Sequence, residues 1–391
     1  MGVASTGVLE PFRQRWPWLG GDLQTLRDTL LPQRLPPDRG QDLVIDLADG
    51  DQLLAMLDQP LVAARPVQPI ADAQQSALPS SGTPRAWVVV VHGLGGSSER
   101  LGVRRLAITL QHNGFAVMRL NLRGAGRGRD LARGSYAAAC NRDVLPALGA
   151  ARALAGQLPL MGVGLSLGGT VLLNAVLSSI QDQQAAGCSG TCPLLDGLVC
   201  ISSPLDLQAT AQQIERPRNR LYARWLLQRL VAETLGDPHG ISTTEHQALA
   251  PSAEVAPLCS IRAFDAAITA PRWGYGSLQD YYRQASPLQP LLRRVADPEQ
   301  DGRSLVPMLL LQACDDPWVP AAAAQQLAAA IATPQRNPAA TMQVLLTRQG
   351  GHNGFHGGSD RRASKPQITS SWSDRLTTRW LAERLDHPGQ A

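Results

Sequence analysis

LPLMGVGLSLGGTVLLNA, residues 158–175, changes character halfway along. Its first part, 158–165, is a nearly unbroken apolar run, the pattern of a strand buried on both faces. From Gly169 to about Ile180 the residues are apolar and long enough in extent for a buried helix. Between the two stands Gly164-Leu165-Ser166-Leu167-Gly168. A strand that turns straight into a helix leaves little room beside the turn, so its neighbours must be small. A serine at the tip of such a turn holds a strained backbone and points Oγ outward. The helix N-terminus behind it favours negative charge. The spacing marks Ser166 as a candidate nucleophile. A bare G-x-S-x-G is common by chance, and the strand before it and helix after it give it weight.

Outward from this turn the chain alternates. WVVVV at 87–91 reads as another buried strand, followed by a helix near 98–111 and a strand, FAVMRLNL, at 115–122. A helix is expected over 135–155. Beyond the elbow come a strand at 195–202, a strand at 306–313, an Ala-rich helix at 321–332, a strand at 342–347 and a last helix from Trp372 to about Arg384. Alternating strands and helices predict a doubly wound, mostly parallel sheet. Residues 42–58 read as a hairpin about Asp49-Gly50, which adds an antiparallel N-terminal edge. Residues 59–86 carry no apolar period and read as an inserted loop or linker. The segment 204–303 holds no clear core strand. It has a helical stretch at 208–235 and the aromatic run RWGYGSLQDYY at 272–282. A long excursion at the carboxyl edge of a sheet is where a helical cap sits.

Three further motifs fall at strand ends. His92-Gly93-Leu94-Gly95-Gly96 follows the WVVVV strand, where such a loop offers a backbone N–H to an oxyanion; the hole is assigned to the amides of Leu94 and Leu167. The His92 side chain reads as structural. Ala313–Pro320, ACDDPWVP, supplies a carboxylate to orient a base; Asp316 is the choice and Asp315 the rival. Gly350–Phe355, GGHNGF, puts His352 in a glycine loop that can reach Ser166. His352 and His356 stand four apart, but the glycines argue against the helix that zinc ligation at this spacing needs, and His356 reads as a surface residue. The order Ser, Asp, His is that of the α/β-hydrolase fold.

Bulk properties bound the rest. The 391 residues are 44% hydrophobic, enough for a large core, and the net charge of +4 rests almost wholly on arginine, Lys365 being the one lysine. Arginine pairs such as Arg104-Arg105 are short and scattered and read as solvated surface, so no nucleic-acid partner is expected. The six cysteines are dispersed; Cys188 and Cys192 lack a second ligand pair for a metal. No signal peptide is evident and no apolar run is long enough for a membrane span, so a cytoplasmic protein with no integral membrane segment is the expectation.

With these residues in hand, the chain from about Pro11 to about Arg384 resembles the YheT-like branch of α/β-hydrolases, which includes yeast medium-chain ester synthases/esterases and animal ABHD-type phospholipases. The resemblance rests on LGGDLQTL at 19–26, the stretch 263–288, ACDDPWVP and GGHNGF. Gln24-Thr25 and Phe264-Asp265 read as packing or pocket-shaping residues. The resemblance implies the triad Ser166, Asp316 and His352. Departures are long insertions at 59–86 and about 181–193, Thr170 where asparagine is frequent and Asn353 where an apolar residue is usual.

The expected activity is therefore carboxylic ester hydrolysis through an acyl-enzyme, with no metal or organic cofactor. The resemblance implies short- to medium-chain acyl esters or lipids as substrates. Leu221, Trp225, Leu226, Trp273 and Tyr275 are the candidate pocket residues. An acyltransferase using the same acyl-enzyme, a peptidase and a non-catalytic binding protein on this fold are the alternatives.

Overall fold

A computed structural model of the chain describes residues 11–61, 83–185, 194–250, 258–296, 305–332, 342–361 and 370–386. Its strands are β1 (Gln41–Asp46), β2 (Gln52–Asp58), β3 (Trp87–Val91), β4 (Ala116–Leu120), β5 (Leu160–Leu165), β6 (Gly197–Ile201), β7 (Met308–Ala313) and β8 (Met342–Thr347). They form one sheet in the order β1-β2-β4-β3-β5-β6-β7-β8. From β4 onward every pairing is parallel, whereas the hairpin β1–β2 adds two antiparallel pairings at one edge. This is the α/β-hydrolase fold.

The helices are α1 (Gly21–Leu30), α2 (Leu101–Gln111), α3 (Asn141–Ala155), α4 (Leu167–Ala185), α5 (Leu207–Ile214), α6 (Arg220–Leu235), α7 (Thr243–Leu249), α8 (Ile261–Phe264), α9 (Ala270–Arg272), α10 (Leu278–Ala285), α11 (Leu288–Ala296), α12 (Ala322–Ile331) and α13 (Trp372–Asp386). A π-helical turn, Asp265–Thr269, joins α8 to α9. Side chains of β3 alternate between two cores. Val89 and Val91 face α3 and α4, while Val88 and Val90 face α2 and α13. Both faces are dry, which is why the run WVVVV lacks the polar alternation of a one-sided strand.

Two helices differ from the sequence expectation. The helix expected at 135 begins at Asn141, because Ser135–Ala138 instead form a loop tied to other elements: Ala138 N–H donates to the Tyr281 hydroxyl at 3.0 Å, and the Tyr136 hydroxyl is drawn to the loop after β3. The helical stretch 208–235 is two helices, broken at Pro217, which cannot donate within a helix and begins a short 3-10 turn. Between β6 and β7 the described residues hold no strand. Cys188 and Cys192, and most of the loop expected at 59–86, lie outside the described residues.

Candidate active site

The elbow lies between β5 and α4. Ser166 has φ 53°, a left-handed backbone that a non-glycine residue holds only when its surroundings enforce it. The enforcement is visible: Ser166 N–H donates to Ile201 O at 2.8 Å, and Gly169 N–H donates to Ser166 O at 3.0 Å. A Cβ on Gly164 would overlap the Gly169 backbone, and one on Gly168 would overlap Val91 O, so both flanking positions need glycine. The serine sits at the N-terminus of α4, where unpaired amides face outward.

The loop after β7 brings Asp316, and the loop after β8 brings His352. His352 Nδ1 lies 2.9 Å from Asp316 Oδ2, and Nε2 lies 2.8 Å from Ser166 Oγ. A carboxylate only accepts, so Nδ1 carries the proton and Nε2 turns its lone pair to the serine hydroxyl. The other Asp316 oxygen accepts the amides of Trp318 and Val319 at 2.8 and 3.0 Å, and Gln312 Nε2 donates to Oδ2 at 3.2 Å. Its neighbour Asp315 faces away from the imidazole and accepts Gly351 N–H at 2.9 Å. The Trp318 ring lies 4.7 Å from the His352 ring and stacks on Tyr222 of α6 at 3.6 Å.

The loop after β3 closes on the serine from the other side. A Cβ on Gly93 would stand 2.8 Å from Ser166 Cβ. His92 spends both ring nitrogens on backbone, Nδ1–H on Gly93 O at 2.8 Å and Nε2 on Leu122 N–H at 3.2 Å; burial pushes its pKa down to about 4. Tyr136 brackets Leu94: its hydroxyl donates to Gly93 O at 3.0 Å and accepts Gly95 N–H at 2.8 Å. Sequence reading placed Tyr136 in a helix and missed this contact. The one local signal was the Gly134-Ser135 pair just before it.

The histidine loop is held by α1, more than three hundred residues earlier. His352 N–H donates to Thr25 Oγ1 at 2.8 Å, and that hydroxyl donates to Gly21 O at 2.7 Å. The single hydroxyl proton is thus committed inside α1, and a lone pair is left for the histidine amide. Fully buried Gln24 grips residue 356 by both backbone groups: Oε1 accepts His356 N–H at 2.7 Å, and Nε2 donates to His356 O at 3.0 Å. Gln24 and Thr25 are positioning residues for this loop as well as packing ones. His356 itself is buried, contrary to the surface expectation, because the loop folds back over α1. Burial first, then the Arg105 cation, pushes its pKa down to about 3. Arg105 is likewise buried, not solvated, and pairs with Asp374 at 2.6 Å and with Asp28.

The triad opens on a cavity of about 360 Å³ whose walls are mostly apolar. Leu94, Leu167, Leu226, Phe264 and Trp318 are among its lining residues, and Trp225 borders it. Three other candidates lie elsewhere. Leu221 is 77% exposed, on the outer face of α6. Trp273 donates from its indole to Ser135 O at 3.0 Å and lies under the Arg142 guanidinium, behind the loop that lines the cavity. Tyr275 packs at 5.1 Å against Tyr281, which does line it.

One carboxylate of the cavity, Asp265, belongs to the Phe264-Asp265 pair. It accepts Tyr282 OH and Thr269 Oγ1–H, both at 2.8 Å. Burial raises its pKa to about 6, against the pull of those two hydrogen bonds. Among the described residues, no cluster of His, Cys, Asp and Glu has the makings of a metal site. No helix there is long and apolar enough to cross a membrane.

Comparison with known proteins places this geometry in context. Residues 82–340 match the family described as serine aminopeptidase, S33. The match ends before His352 and begins after α1. YheT of Escherichia coli (strain K12), a protein named as an esterase, is 28% identical over 315 residues, 81% of this chain and 82% of that one. Phospholipase ABHD3 of Homo sapiens is 24% identical over 372 residues, covering 95% and 78% of the two chains. Medium-chain fatty acid ethyl ester synthase/esterase 2 of Saccharomyces cerevisiae is 27% identical over 256 residues, covering 59% of this chain and 51% of that one. Among solved structures, a soluble variant of the Saccharomyces cerevisiae monoglyceride lipase superimposes with a TM-score of 0.52 at 14% identity, over 91% of this chain and 97% of the other. That likeness concerns the fold.

Proposed function

The chain belongs to the serine aminopeptidase S33 family of α/β-hydrolases, and from that premise we propose that it cleaves short- to medium-chain acyl esters or ester lipids through Ser166, His352 and Asp316. Relatives named as an esterase and a phospholipase along most of its length make it a carboxylic ester hydrolase. The observation that carries the triad is the relay of 2.8 and 2.9 Å from Ser166 through His352 to Asp316, facing a mostly apolar cavity.

In this reading His352 Nε2 takes the proton of Ser166 as Oγ attacks the acyl carbonyl. Asp316 keeps the imidazole in the required tautomer and stabilises the imidazolium. The amides of Leu94 and Leu167 hold the oxyanion, the first fixed in place by the Tyr136 hydroxyl and the second unpaired at the start of α4. His352 returns the proton to the leaving alkoxide. Water, deprotonated by the same histidine, then attacks the acyl-enzyme and releases the acid. The described helices of the segment 204–303 act as the cap over Ser166, with Trp225 and Leu226 against the acyl chain.

The test is a panel of p-nitrophenyl esters of increasing acyl length, run on wild type and Ser166→Ala. The reading expects turnover by the first and none by the second, with the variant folded. Amides of the same acyl groups probe the peptidase activity in the family's description. The yeast relative's name favours one second reading, transfer of the acyl group to an alcohol. Ester formed when ethanol is supplied, in excess over acid, would select it.

A further inference from the structure

The outer surface of α1 is apolar where a solvated helix would be polar. Leu23, Leu26 and Leu30 follow one another at helical spacing in a stripe that flanks buried Gln24 and Arg27, and all three are exposed. Trp16, just before the helix, is 81% exposed. Across from them, α6 exposes Leu221 and Trp225. Nine of the twelve large apolar side chains exposed among the described residues lie on just two stretches, Trp16–Leu31 and α6. Scattered single leucines on a surface are ordinary, whereas a concentration of this kind marks a contact surface.

The two stretches are adjacent and border one site. Arg218, in the turn before α6, pairs with Asp22 in the first turn of α1 at 2.8 Å. The cavity holding Ser166 is lined by Thr25 and Asp28 from α1 and by Tyr222, Trp225 and Leu226 from α6. The apolar surface therefore lies beside the cavity. Its α6 side is rich in cations: Arg216, Arg218, Arg220 and Arg224 are all exposed, while Asp22 is held by Arg218 and Glu215 is turned to Arg262 at 2.7 Å.

We propose that this face of α1 and α6 docks on an anionic lipid–water interface, so that ester lipid enters the cavity from the aggregate. The inference rests on the ester-lipid reading above. Apolar side chains bordered on the α6 side by arginine suit an anionic interface, where the rings and leucines enter the acyl boundary and the guanidinium groups meet headgroup phosphates. A second copy of the chain is disfavoured as occupant, since a two-fold contact would set the same arginines against one another.

The experiment is flotation with phosphatidylcholine vesicles, with and without added phosphatidylglycerol. It uses full-length wild type, Leu23→Gln/Leu26→Gln/Leu30→Gln and Arg216→Gln/Arg220→Gln/Arg224→Gln. The expected result is binding of wild type that strengthens with phosphatidylglycerol and weakens with salt. The leucine variant should lose at least about tenfold in vesicle affinity, and the arginine variant should lose the phosphatidylglycerol preference. Hydrolysis of soluble p-nitrophenyl acetate should be unchanged in both. Wild type that fails to bind at low salt, or a leucine variant that binds as well, overturns the proposal. So does a wild-type dimer in sedimentation that the leucine substitutions dissociate. Flotation needs no turnover and can be repeated on Ser166→Ala, so a failed triad and a failed docking face give different results.

Discussion

Replacing Thr25 by valine tests whether α1 acts on catalysis or only on packing. Valine keeps the volume and removes the oxygen. Gly21 O retains its place in the helix, but His352 N–H, now paired at 2.8 Å, is left without its acceptor. Leaving a buried donor unpaired costs about 1–3 kcal/mol. The loop that bears this cost already holds left-handed backbone at Gly351, Asn353 and Phe355, with φ between 48° and 61°. Its cheapest relief is a small shift of His352 toward water, away from Ser166. If most of the cost reaches the barrier, kcat falls roughly 10- to 100-fold, since ~1.4 kcal/mol is a factor of ten. KM should change less than kcat, because valine keeps the volume that Thr25 gives the cavity wall. Thr25→Ser keeps the oxygen and should retain wild-type kcat within about threefold, the range left by the small effects of surface-like substitutions. The assay is steady-state hydrolysis of one soluble ester, with the rate of fluorophosphonate labelling beside it. A valine variant with wild-type kcat, or serine and valine variants that fall equally, would show that the Thr25 hydroxyl does not position His352.

The other predictions concern the acid, the cap and the buried carboxylate. Asp316→Asn should lower kcat by about 10³–10⁴-fold, because the imidazole loses its orienting acceptor, while Asp315→Asn should cost far less; reversed effects would show the wrong member of the pair. Leu226→Trp should move the preferred acyl length downward while acetate hydrolysis stays nearly constant, since apolar burial is worth ~0.8 kcal/mol per CH₂; an unchanged chain-length profile counts against Leu226 as acyl wall. Asp265→Asn tests the carboxylate whose pKa burial raises from 3.8 to about 6. A raised folded pKa means that the fold favours the protonated form, so stability is full below the unfolded value and is lost as pH rises through about 6. Asparagine stays neutral, so the variant should gain in Tm over wild type as pH rises from about 4 to about 6 and keep that gain above it. A constant Tm difference across that range would contradict the burial argument.

What the sequence made legible was local. Val88–Val91, buried on both faces, and Gly164–Gly168, which must be small where a strand meets a helix, carry their structural meaning within five residues. So do Asp316 and His352, because each follows a strand whose apolar run is plain. The positioning groups were not legible, since their meaning lies in partners far along the chain. Gln24-Thr25 looked like packing because its partners, His352 and His356, stand more than three hundred residues away. Arg105 looked solvated because Asp28 and Asp374, which neutralise it, come from α1 and α13. Tyr136 was read as helical because SYAAAC has ordinary helix propensity, and the pull of its hydroxyl toward Gly93 and Gly95 is a tertiary force that propensity does not contain. The excursion between β6 and β7 showed as a gap in the strand rhythm, yet spacing alone did not show that Tyr281 and Tyr282, and not Trp273 and Tyr275, line the cavity.

The central claim is that Ser166 Oγ is the atom that takes the acyl group. Its most direct test is mass spectrometry of the protein after brief reaction with a fluorophosphonate, intact and then as peptides. The expected result is one adduct per chain, located on Ser166, formed in step with loss of ester hydrolysis and absent from Ser166→Ala. An adduct on another residue, or ester hydrolysis that persists in Ser166→Ala, would contradict it.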